Sequence, residues 1–282
     1  MNKLALGTVQ WGINYGISNN LGVPSDLEIK KILKFSKNNG IKLLDTASTY
    51  GNSELRIKKL ANQEFSIITK ISSISNENSI KKQINNSLNR LGANSIYGCL
   101  FHSPNELIKN NHYWEKINEE KINGKVKKIG YSLYHPNELD YLLNSEFIPD
   151  IVQIPYSILD RKFESYFKIL NKLKIEIHIR SVFLQGLYFL NPNNLPKKLK
   201  DYTEPLNKLN KLANDYSLEI IDIALNYVLN KNYINHVVIG VVNVKQIEDI
   251  LFSSNKKLNK EIINIVENIK VNNKDILNPS NW

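Results

Sequence analysis

Three short apolar runs of the chain each end at a residue that can hold or move a proton: Asp45, Lys70 and His102. A fourth such residue, Tyr50, follows five positions after Asp45. A carboxylate, an ammonium, an imidazole and a phenol in one water-poor pocket can hold a proton ready and deliver it. These four residues are therefore the candidates for chemistry.

Strand geometry determines whether these residues can meet. Because side chains alternate between the two faces of a strand, an apolar residue two positions before each polar one shares its face. The pairs are Leu43 with Asp45, Ile68 with Lys70, and Leu100 with His102. If the strands are parallel and close into a barrel, the polar members converge at the carboxyl end, where such barrels carry their chemistry.

Each of the four residues also has a purely structural interpretation. Tyr50 can pack on the surface as a loop aromatic, and Asp45 can cap the turn that follows it. Lys70 can leave its strand into solvent, and His102 can be a buried structural histidine. Their joint placement in one ordered pattern favours the chemical interpretation.

Strand-like and helix-like runs alternate eight times along the chain, without a linker or low-complexity break. The predicted strands are 4–7, 41–45, 65–70, 96–101, 126–131, 151–154, 175–179 and 236–239. Helices follow each of them; the first opens at Ser25 with a capping-box pattern that ends in Glu28. The pattern predicts a single-domain (β/α)8 TIM barrel over 1–282, with extra helices after strand 7 and at the C-terminus and a polar tail at 271–282. A doubly wound sheet usually needs a G-x-G-x-x-G turn, which does not occur.

Composition adds limits on location and partners. With 42% hydrophobic residues, the 282-residue chain can bury a substantial core. The single cysteine, Cys99, excludes a disulfide framework and a thiolate metal site and favours a reducing compartment. No run has signal-peptide or membrane-spanning character, so we expect a cytoplasmic protein without a membrane partner.

The net charge of +10 does not indicate a nucleic-acid partner. Only four of the 37 basic residues are arginines, which nucleic-acid interfaces favour, and the lysines are spread over predicted helix faces. A metal site is not expected either, because the remaining histidines lack ligand spacing. His178 alternates with Glu176 and Arg180, so these three side chains are predicted to line the barrel interior.

Residues 40–54, GIKLLDTASTYGNSE, resemble the signature of the aldo-keto reductases. Further similarities follow in the family's order: LGTVQWG at 6–12, ITK at 68–70, LFHSP at 100–104, GKVKKIGYS at 124–132 and VQIPYS at 152–157. With 181–186 and 238–250, the resemblance covers nearly the whole chain. It implies an NAD(P)H-dependent carbonyl reductase on a TIM barrel that binds its cofactor extended, with Asp45, Tyr50, Lys70 and His102 as the catalytic tetrad.

Elementary chemistry supports the same roles. Hydride addition to a carbonyl builds negative charge on oxygen, which a proton donor must quench. A free tyrosine has a pKa near ~10, and an adjacent ammonium favours its ionised form. Lys70 is that ammonium, Asp45 keeps it charged, and His102 positions the carbonyl oxygen. No side chain supplies a hydride, so a nicotinamide must.

The resemblance also implies the residues that hold the cofactor. Ser132 and Gln153 match contacts to the nicotinamide carboxamide, and the pyrophosphate-side loop contains Ser181, Gln185 and Gly186. The segment around the adenosine phosphate contains Gly240, Asn243 and Gln246.

Three positions depart from the family pattern. Leu133 stands where many members have asparagine, and Gln246 replaces an arginine that commonly grips the 2′-phosphate. Arg180 stands where many members stack an aromatic ring on the nicotinamide. A planar guanidinium can also stack there and would disfavour the cationic oxidised ring; the alternative is that Arg180 pairs with Glu176 or another acid. The lysine-rich surface near the carboxyl end predicts NADP(H) as the preferred cofactor, with NAD(H) possible.

The substrate is predicted only as a class. Trp11 and Tyr15 in the first loop, and 183–190 in the seventh, are candidates for the pocket wall, although these aromatics can equally pack in the core. Short loops after strands two to four predict an open mouth that admits a polar carbonyl compound such as a sugar or small aldehyde. Two other functions stay open: a non-catalytic nucleotide sensor, and Schiff-base chemistry at Lys70.

Overall fold

The computed structural model of the chain describes residues 2–61, 64–72, 74, 76–105, 110 and 112–282, without the side chains of 274 and 280. Eight parallel strands form a closed barrel in the order β1 to β8, each paired with its neighbours in sequence and β8 with β1. The strands are Leu4–Gly7, Leu43–Asp45, Ser66–Ile71, Ile96–Phe101, Val126–Ser132, Ile151–Pro155, Glu176–Arg180 and His236–Gly240. The predicted (β/α)8 fold is confirmed.

The second strand starts later than the sequence predicts. Gly40 adopts a left-handed φ of 77° at the end of the preceding helix. The amide of Ile41 then donates to the carbonyl of Ser36, so this residue closes the helix and does not join the sheet. Asp45 still ends the strand, which is what its role requires.

In the part of the chain that the structure describes, helices α1 to α11 surround the barrel and connect its strands. They are Val9–Gly12, Asp26–Asn38, Ser53–Leu60, Glu77–Leu91, His112–Ile122, Pro136–Leu143, Phe167–Lys172, Thr203–Asp215, Ile220–Leu229, Val244–Ser254 and Lys260–Asn268. The extra helices after β7 (α8 and α9) and at the C-terminus (α11) are present as predicted. Short 3₁₀ turns occur at 164–166, 184–189, 192–194, 197–202, 274–277 and 279–281.

At the start of α2, one of the two hydrogen bonds of the predicted capping box is formed and the other is not. The Ser25 side chain accepts from the amide of Glu28, as an N-cap should. The Glu28 carboxylate does not complete a capping box; it crosses to α10 and accepts from the amide of Val244 at 2.8 Å. A tertiary contact therefore replaces the expected local one.

Apolar packing forms two clusters. A small inner cluster fills the barrel with Ala5, Leu43, Ile68, Leu100 and Ile151, and the larger one lies between the strands and the helices. Three of these inner residues are the predicted face-sharing partners of the polar strand ends. The barrel interior therefore aims Asp45, Lys70 and His102 at the mouth.

The segment predicted as a polar tail packs onto the body. Ile276 and Leu277 are buried, and the Ile276 carbonyl accepts from the Tyr202 hydroxyl at 2.7 Å and from the Trp282 indole at 2.6 Å. Over the residues that the structure describes, no helix has the length and apolar character to cross a membrane.

Candidate active site

A buried ion pair lies at the floor of the barrel mouth. The Lys70 ammonium donates to both Asp45 oxygens, at 2.8 and 2.7 Å, and to the carbonyl of Thr46 at 3.0 Å. The exposed fractions of the two side chains are 1% and 6%. Burial opposes the charge on Lys70, but the Asp45 carboxylate outweighs it, so the pKa of Lys70 is raised. The site therefore contains a fixed positive charge.

Tyr50 lies above this pair, with its ring centroid 5.3 Å from the Lys70 nitrogen. The sequence predicts that the ammonium lowers the tyrosine pKa. Lys70 does act in that direction, but the effect of burial is larger and the pKa of Tyr50 is raised. The phenol is thus held protonated, as a proton donor must be before it reacts.

His102 faces Tyr50 across the mouth, in an edge-on arrangement with 6.1 Å between ring centroids. Burial lowers the pKa of His102 to about 4, and the charge of Lys70 contributes in the same direction. The imidazole is therefore neutral at physiological pH. It can donate a hydrogen bond without carrying charge into the site.

A long cavity of about 1160 Å³ opens from these residues and reaches the starts of α9 and α10. Asp45, Tyr50 and His102 line one end of it. The sequence-predicted residues that also line it are Ser132, Gln153, Arg180, Ser181, Gln185, Gly186, Gly240, Gln246 and Tyr15. Its volume and the spread of its lining residues from the strand ends to α9 and α10 suit a large ligand.

The predicted nicotinamide-side residues are held beneath the cavity. Gln153 in the middle of β6 donates from its amide to Asp45 at 2.7 Å, which fixes the orientation of its carboxamide. Ser132 is buried at the end of β5. The two residues are paired between adjacent strands, so the sheet itself positions them.

Arg180 is not paired with Glu176, which lies at the other end of β7 and bonds Lys128 and His178. The guanidinium lies over the ring of Tyr134, with its carbon 4.2 Å from the centroid, and donates to the Leu133 carbonyl at 3.0 Å. Tyr134 lines the cavity and is absent from the sequence-based site. Its position two residues after Ser132 is the signal that could have suggested it.

The loop after β7 has an unusual backbone that brings it onto the first loop. Positive φ angles occur at Ser181, Leu184, Gln185 and Gly186. A Cβ at Gly186 would lie 1.8 Å from the Ser18 hydroxyl, and the amide of Ile17 donates to the Gln185 carbonyl at 3.0 Å. Only glycine permits this close approach, which roofs part of the cavity.

Two predicted residues are placed elsewhere. Trp11 does not wall the cavity: it is fully buried in the outer core cluster, and its indole donates to the Val241 carbonyl at 3.2 Å. This position agrees with the core packing that the sequence left open as the alternative for Trp11. Asn243 is not among the lining residues; its side chain caps α10 by accepting from the amide of Gln246 at 2.9 Å.

Gln10 lines the cavity but is absent from the sequence-based site. Its side-chain nitrogen donates to the Tyr15 carbonyl at 3.1 Å, whereas its buried side-chain oxygen has no partner among the described residues. That oxygen is close to Gly240, where a Cβ would be 2.5 Å away. An unpaired buried acceptor in a cavity wall is the kind of group that a ligand hydroxyl satisfies. No cluster of His, Cys, Asp or Glu that could hold a metal ion occurs in the described part of the chain.

Sequence comparison finds relatives that are named as an aldo-keto reductase and as an oxidoreductase. The chain is 24% identical to the aldo-keto reductase YhdN of Bacillus subtilis over 94% of its own length and 88% of the relative's. It is 28% identical to an uncharacterized oxidoreductase of Schizosaccharomyces pombe, but that match covers only 45% of the chain and 51% of the yeast protein.

Solved structures share the fold of the chain. The glycerol dehydrogenase AKR11B4 from Gluconobacter oxydans superposes with a TM-score of 0.78 at 20% identity, covering 95% of this chain and 91% of that one. The aldo-keto reductase AKR11C1 from Bacillus halodurans gives 0.75 at 21% identity, with the same coverage. The sequence model of the Aldo/keto reductase family matches residues 3–271. With the barrel and the four polar residues at its mouth, this match shows that the chain belongs to the aldo/keto reductase family.

Proposed function

We propose that the protein reduces an aldehyde or ketone to the alcohol with NAD(P)H, and that Tyr50 is the proton donor. The observation that carries the proposal is the buried Asp45–Lys70 pair beneath Tyr50 and His102 at one end of the long cavity. Family membership supports an oxidoreductase; the residue roles rest on this geometry.

The cavity fits a dinucleotide in shape and in chemistry. Its length separates the Tyr50 end from the α10 end, and the unpaired oxygen of Gln10 lies between loops that would enclose a ribose or pyrophosphate. Ser132 and Gln153 would hold the nicotinamide end, Arg180 its ring, and Ser181, Gln185 and Gly186 the pyrophosphate. When bound, the reduced nicotinamide supplies the hydride.

The chain's own residues then manage the charge that develops on the carbonyl oxygen. His102, neutral because its pKa is about 4, donates a hydrogen bond that positions this oxygen. Tyr50 donates its proton to the oxygen as the alcohol forms. Lys70 stabilises the resulting tyrosinate, and Asp45 and the Thr46 carbonyl keep the ammonium in place.

Schiff-base chemistry at Lys70 is disfavoured by the same geometry. A lysine nucleophile must be neutral, and the pKa of this one is raised by its pairing with Asp45 after burial has acted in the opposite direction. Its three donor positions are also occupied by Asp45 and Thr46. Borohydride treatment with a carbonyl substrate should therefore trap no adduct.

The test is a fluorescence titration with NADH and NADPH followed by an oxidation assay on a panel of aldehydes, ketones and reducing sugars. We expect binding of at least one reduced nucleotide and its oxidation by members of the panel, polar aldehydes included. Binding without turnover on any carbonyl would support the nucleotide-sensor alternative. Absence of binding would contradict the proposal altogether.

A further inference from the structure

Arg180 at the end of β7 lines the cavity with a positive charge that forms no ion pair among the described residues. Its hydrogen bonds go to two neutral groups, the Leu133 carbonyl at 3.0 Å and the Ser181 hydroxyl at 3.4 Å. The acid on the neighbouring loop, Asp160, is bonded to Lys162 at 2.7 Å. A partly buried arginine is normally paired with an acid, so this one has a charge to spare for a ligand.

The other charged side chains of the described wall are held within the protein. Three acids are each bonded to a lysine at 2.6 to 2.8 Å: Asp45 to Lys70, Asp222 to Lys256 and Asp249 to Lys245. Glu219 is the N-cap residue of α9, where the helix dipole favours an acid. Among the described lining residues, Arg180 is therefore the cation without an acid partner.

The guanidinium extends toward His102 and not toward the loop that follows β7. Strands β4 to β7 are neighbours in sequence order. The bond from Arg180 to the Leu133 carbonyl therefore crosses β6 and reaches the residue that follows β5. The next strand, β4, pairs with β5 and is followed directly by His102. The loop 181–186 runs the other way, because its Gln185 carbonyl accepts from the amide of Ile17 in the first loop.

The charge of Arg180 also acts on the residues proposed to handle the proton. Burial lowers the pKa of His102 to about 4, and the charges of Lys70 and Arg180 act in the same direction. Burial raises the pKa of Tyr50, and the charges of Lys70 and Arg180 oppose that rise. Because Coulomb interactions weaken with distance, Arg180 is close to the place where the carbonyl oxygen would lie.

Arg180 has donors left for a ligand. A guanidinium carries five N–H groups, and the bonds to Leu133 and Ser181 leave three without an acceptor among the described residues. One face of the group lies on the Tyr134 ring, 4.2 Å from its centroid. The opposite face can support a nicotinamide ring while the N–H groups at the edge bind an oxyanion, because face and edge are different surfaces of one planar group.

We infer that the substrate is a carbonyl compound with an anionic group, a carboxylate or a phosphate, and that Arg180 binds this group. The inference rests on the proposed function, because it places the carbonyl oxygen at Tyr50 and His102. A neutral aldehyde would leave the guanidinium without a counter-charge, whereas an oxyanion matches its fork of N–H groups. This narrows the polar carbonyl compound that the open mouth predicts to an acidic one.

The experiment compares kcat/KM within two matched substrate pairs at saturating reduced nucleotide. The carboxylate pair is 4-oxobutanoate and butanal, and the phosphate pair is glyceraldehyde 3-phosphate and glyceraldehyde. The wild type should prefer the charged member of at least one pair by about tenfold or more, as expected for a hydrogen bond between charged groups. The pair that shows the preference identifies which oxyanion the site takes.

Arg180→Gln removes the charge and should lower this preference by about tenfold to a hundredfold, mainly through KM. An effect that passes through the nucleotide is common to both members of a pair and cancels in their ratio. Arg180→Lys keeps the charge without the fork and should retain part of the preference.

Arg161→Gln is the matched control. This arginine follows β6, donates to the Ile269 carbonyl at 3.1 Å and does not line the cavity. Its loss should leave the preference within about twofold of wild type, since it removes an equal charge away from the site. Thermal unfolding of each variant confirms that the fold is retained.

Inhibition of the wild type needs no variant. Butanoate should compete with the preferred charged substrate when that substrate is 4-oxobutanoate, and inorganic phosphate should compete when it is glyceraldehyde 3-phosphate. Butanamide, which is neutral and similar in size to butanoate, should inhibit in neither case. Equal inhibition by the neutral compound and the anion would contradict a charge-selective site.

The inference is overturned if neither pair shows a preference for its charged member, or if folded Arg180→Gln keeps the wild-type preference. It is also overturned if Arg180→Gln weakens nucleotide binding tenfold without changing the preference, because the guanidinium would then bind the cofactor phosphates. Turnover of the neutral members leaves the proposed function intact in all three cases. Absence of nucleotide binding and of turnover with every carbonyl would overturn both together.

Discussion

The two ends of the barrel hold the same kinds of side chain in two different arrangements. Each end has a carboxylate, a lysine, a tyrosine and a histidine: Asp45, Lys70, Tyr50 and His102 at the mouth, and Glu176, Lys128, Tyr97 and His178 at the amino end. The lysine nitrogens even lie at similar distances from the tyrosine ring centroids, 5.3 Å at the mouth and 5.2 Å at the amino end.

The difference lies in what the tyrosine hydroxyl is bonded to. At the amino end the Tyr97 hydroxyl donates to Glu176 at 2.8 Å, and the same carboxylate bonds Lys128 and His178. Glu176 is thereby stabilised as an anion: burial opposes its charge, but the bonds from His178, Lys128 and Tyr97 lower its pKa to about 2. The carboxylate of Glu176 is thus fully bonded within the protein, although the buried Nδ1 of His178 has no partner among the described residues.

At the mouth the carboxylate of Asp45 accepts from groups other than the tyrosine hydroxyl. Asp45 accepts from Lys70 and Gln153, whereas Tyr50 faces the cavity without a carboxylate of the described residues as its partner. Tyr50 is therefore accessible to a molecule in the cavity. Residue types alone therefore do not distinguish a site from a structural cluster; their mutual bonds and access to a cavity do.

The largest contrast is expected from removing the lysine at each end. Lys70→Met should lower kcat/KM by on the order of 10³-fold, because the tyrosinate formed in the reaction loses its stabilising charge. Lys128→Met should keep activity within about threefold, since its end of the barrel touches no substrate. Activity assays with thermal unfolding of both variants check this. Comparable losses of activity in two folded variants would contradict the distinction between the ends.

The pH dependence of kcat/KM should reflect the protonation of His102. Because burial lowers the pKa of His102 to about 4 and raises that of Tyr50, kcat/KM for reduction should stay level from about pH 5 up to at least the ordinary tyrosine pKa of ~10. It should fall below that range as His102 becomes charged, and above it as Tyr50 loses its proton. His102→Gln should remove the acid limb.

The control for this profile is a histidine at the other end. Burial, with His178 contributing, also lowers the pKa of His236 to about 4. His236→Asn should nevertheless leave the acid limb of kcat/KM unchanged, because this residue lies far from the reacting oxygen. An acid limb that disappears only in His236→Asn would show that it reports folding and not chemistry.

A smaller effect is expected at Arg180. Its cation lies in the cavity over Tyr134 and should disfavour the positively charged oxidised nicotinamide relative to the reduced form. Arg180→Tyr should shift the ratio of oxidised to reduced cofactor affinity toward the oxidised form by about threefold to tenfold. Titrations with both forms measure it, and an unchanged ratio would leave the electrostatic role without support.

The smallest expected effect is on acid stability at the amino end. Since the pKa of His236 falls from 6.5 to about 4 in the folded chain, the unfolded chain binds the extra proton between these values. The free energy of unfolding should therefore drop as pH falls through this window. His236→Asn should reduce the drop between pH 7 and pH 5 by about 1–2 kcal/mol. Urea unfolding at the two pH values tests this; an equal drop in both proteins would contradict it.

The barrel and the placement of Asp45, Lys70 and His102 at its mouth could be predicted because both follow from local periodicity. Leu43, Ile68 and Leu100 alternate with the polar residues, so the inward direction of Asp45 and Lys70 was visible in the sequence. The eight strand–helix repeats predicted a closed barrel for the same reason, and the barrel is closed.

What the sequence did not disclose depends on contacts between distant segments. Trp11 was a candidate for the pocket wall, but its ring packs in the core and its indole donates to the Val241 carbonyl. Glu28 matches a local capping box, yet its carboxylate accepts from the amide of Val244, which lies 216 positions away in the sequence. Tyr134 became part of the site only because Arg180 lies across its ring. No periodic pattern contains these pairings.

The most direct measurement compares Tyr50→Phe with Tyr97→Phe. Each substitution removes one hydroxyl and keeps the ring, one at the mouth and one at the amino end. Tyr50→Phe should lower kcat by on the order of 10³-fold while the nucleotide dissociation constant stays within about twofold of wild type, because only the proton donor is lost. Tyr97→Phe should keep nearly full turnover. A Tyr50→Phe enzyme that retains most of its activity across several carbonyl substrates would contradict the assignment of Tyr50 as the proton donor.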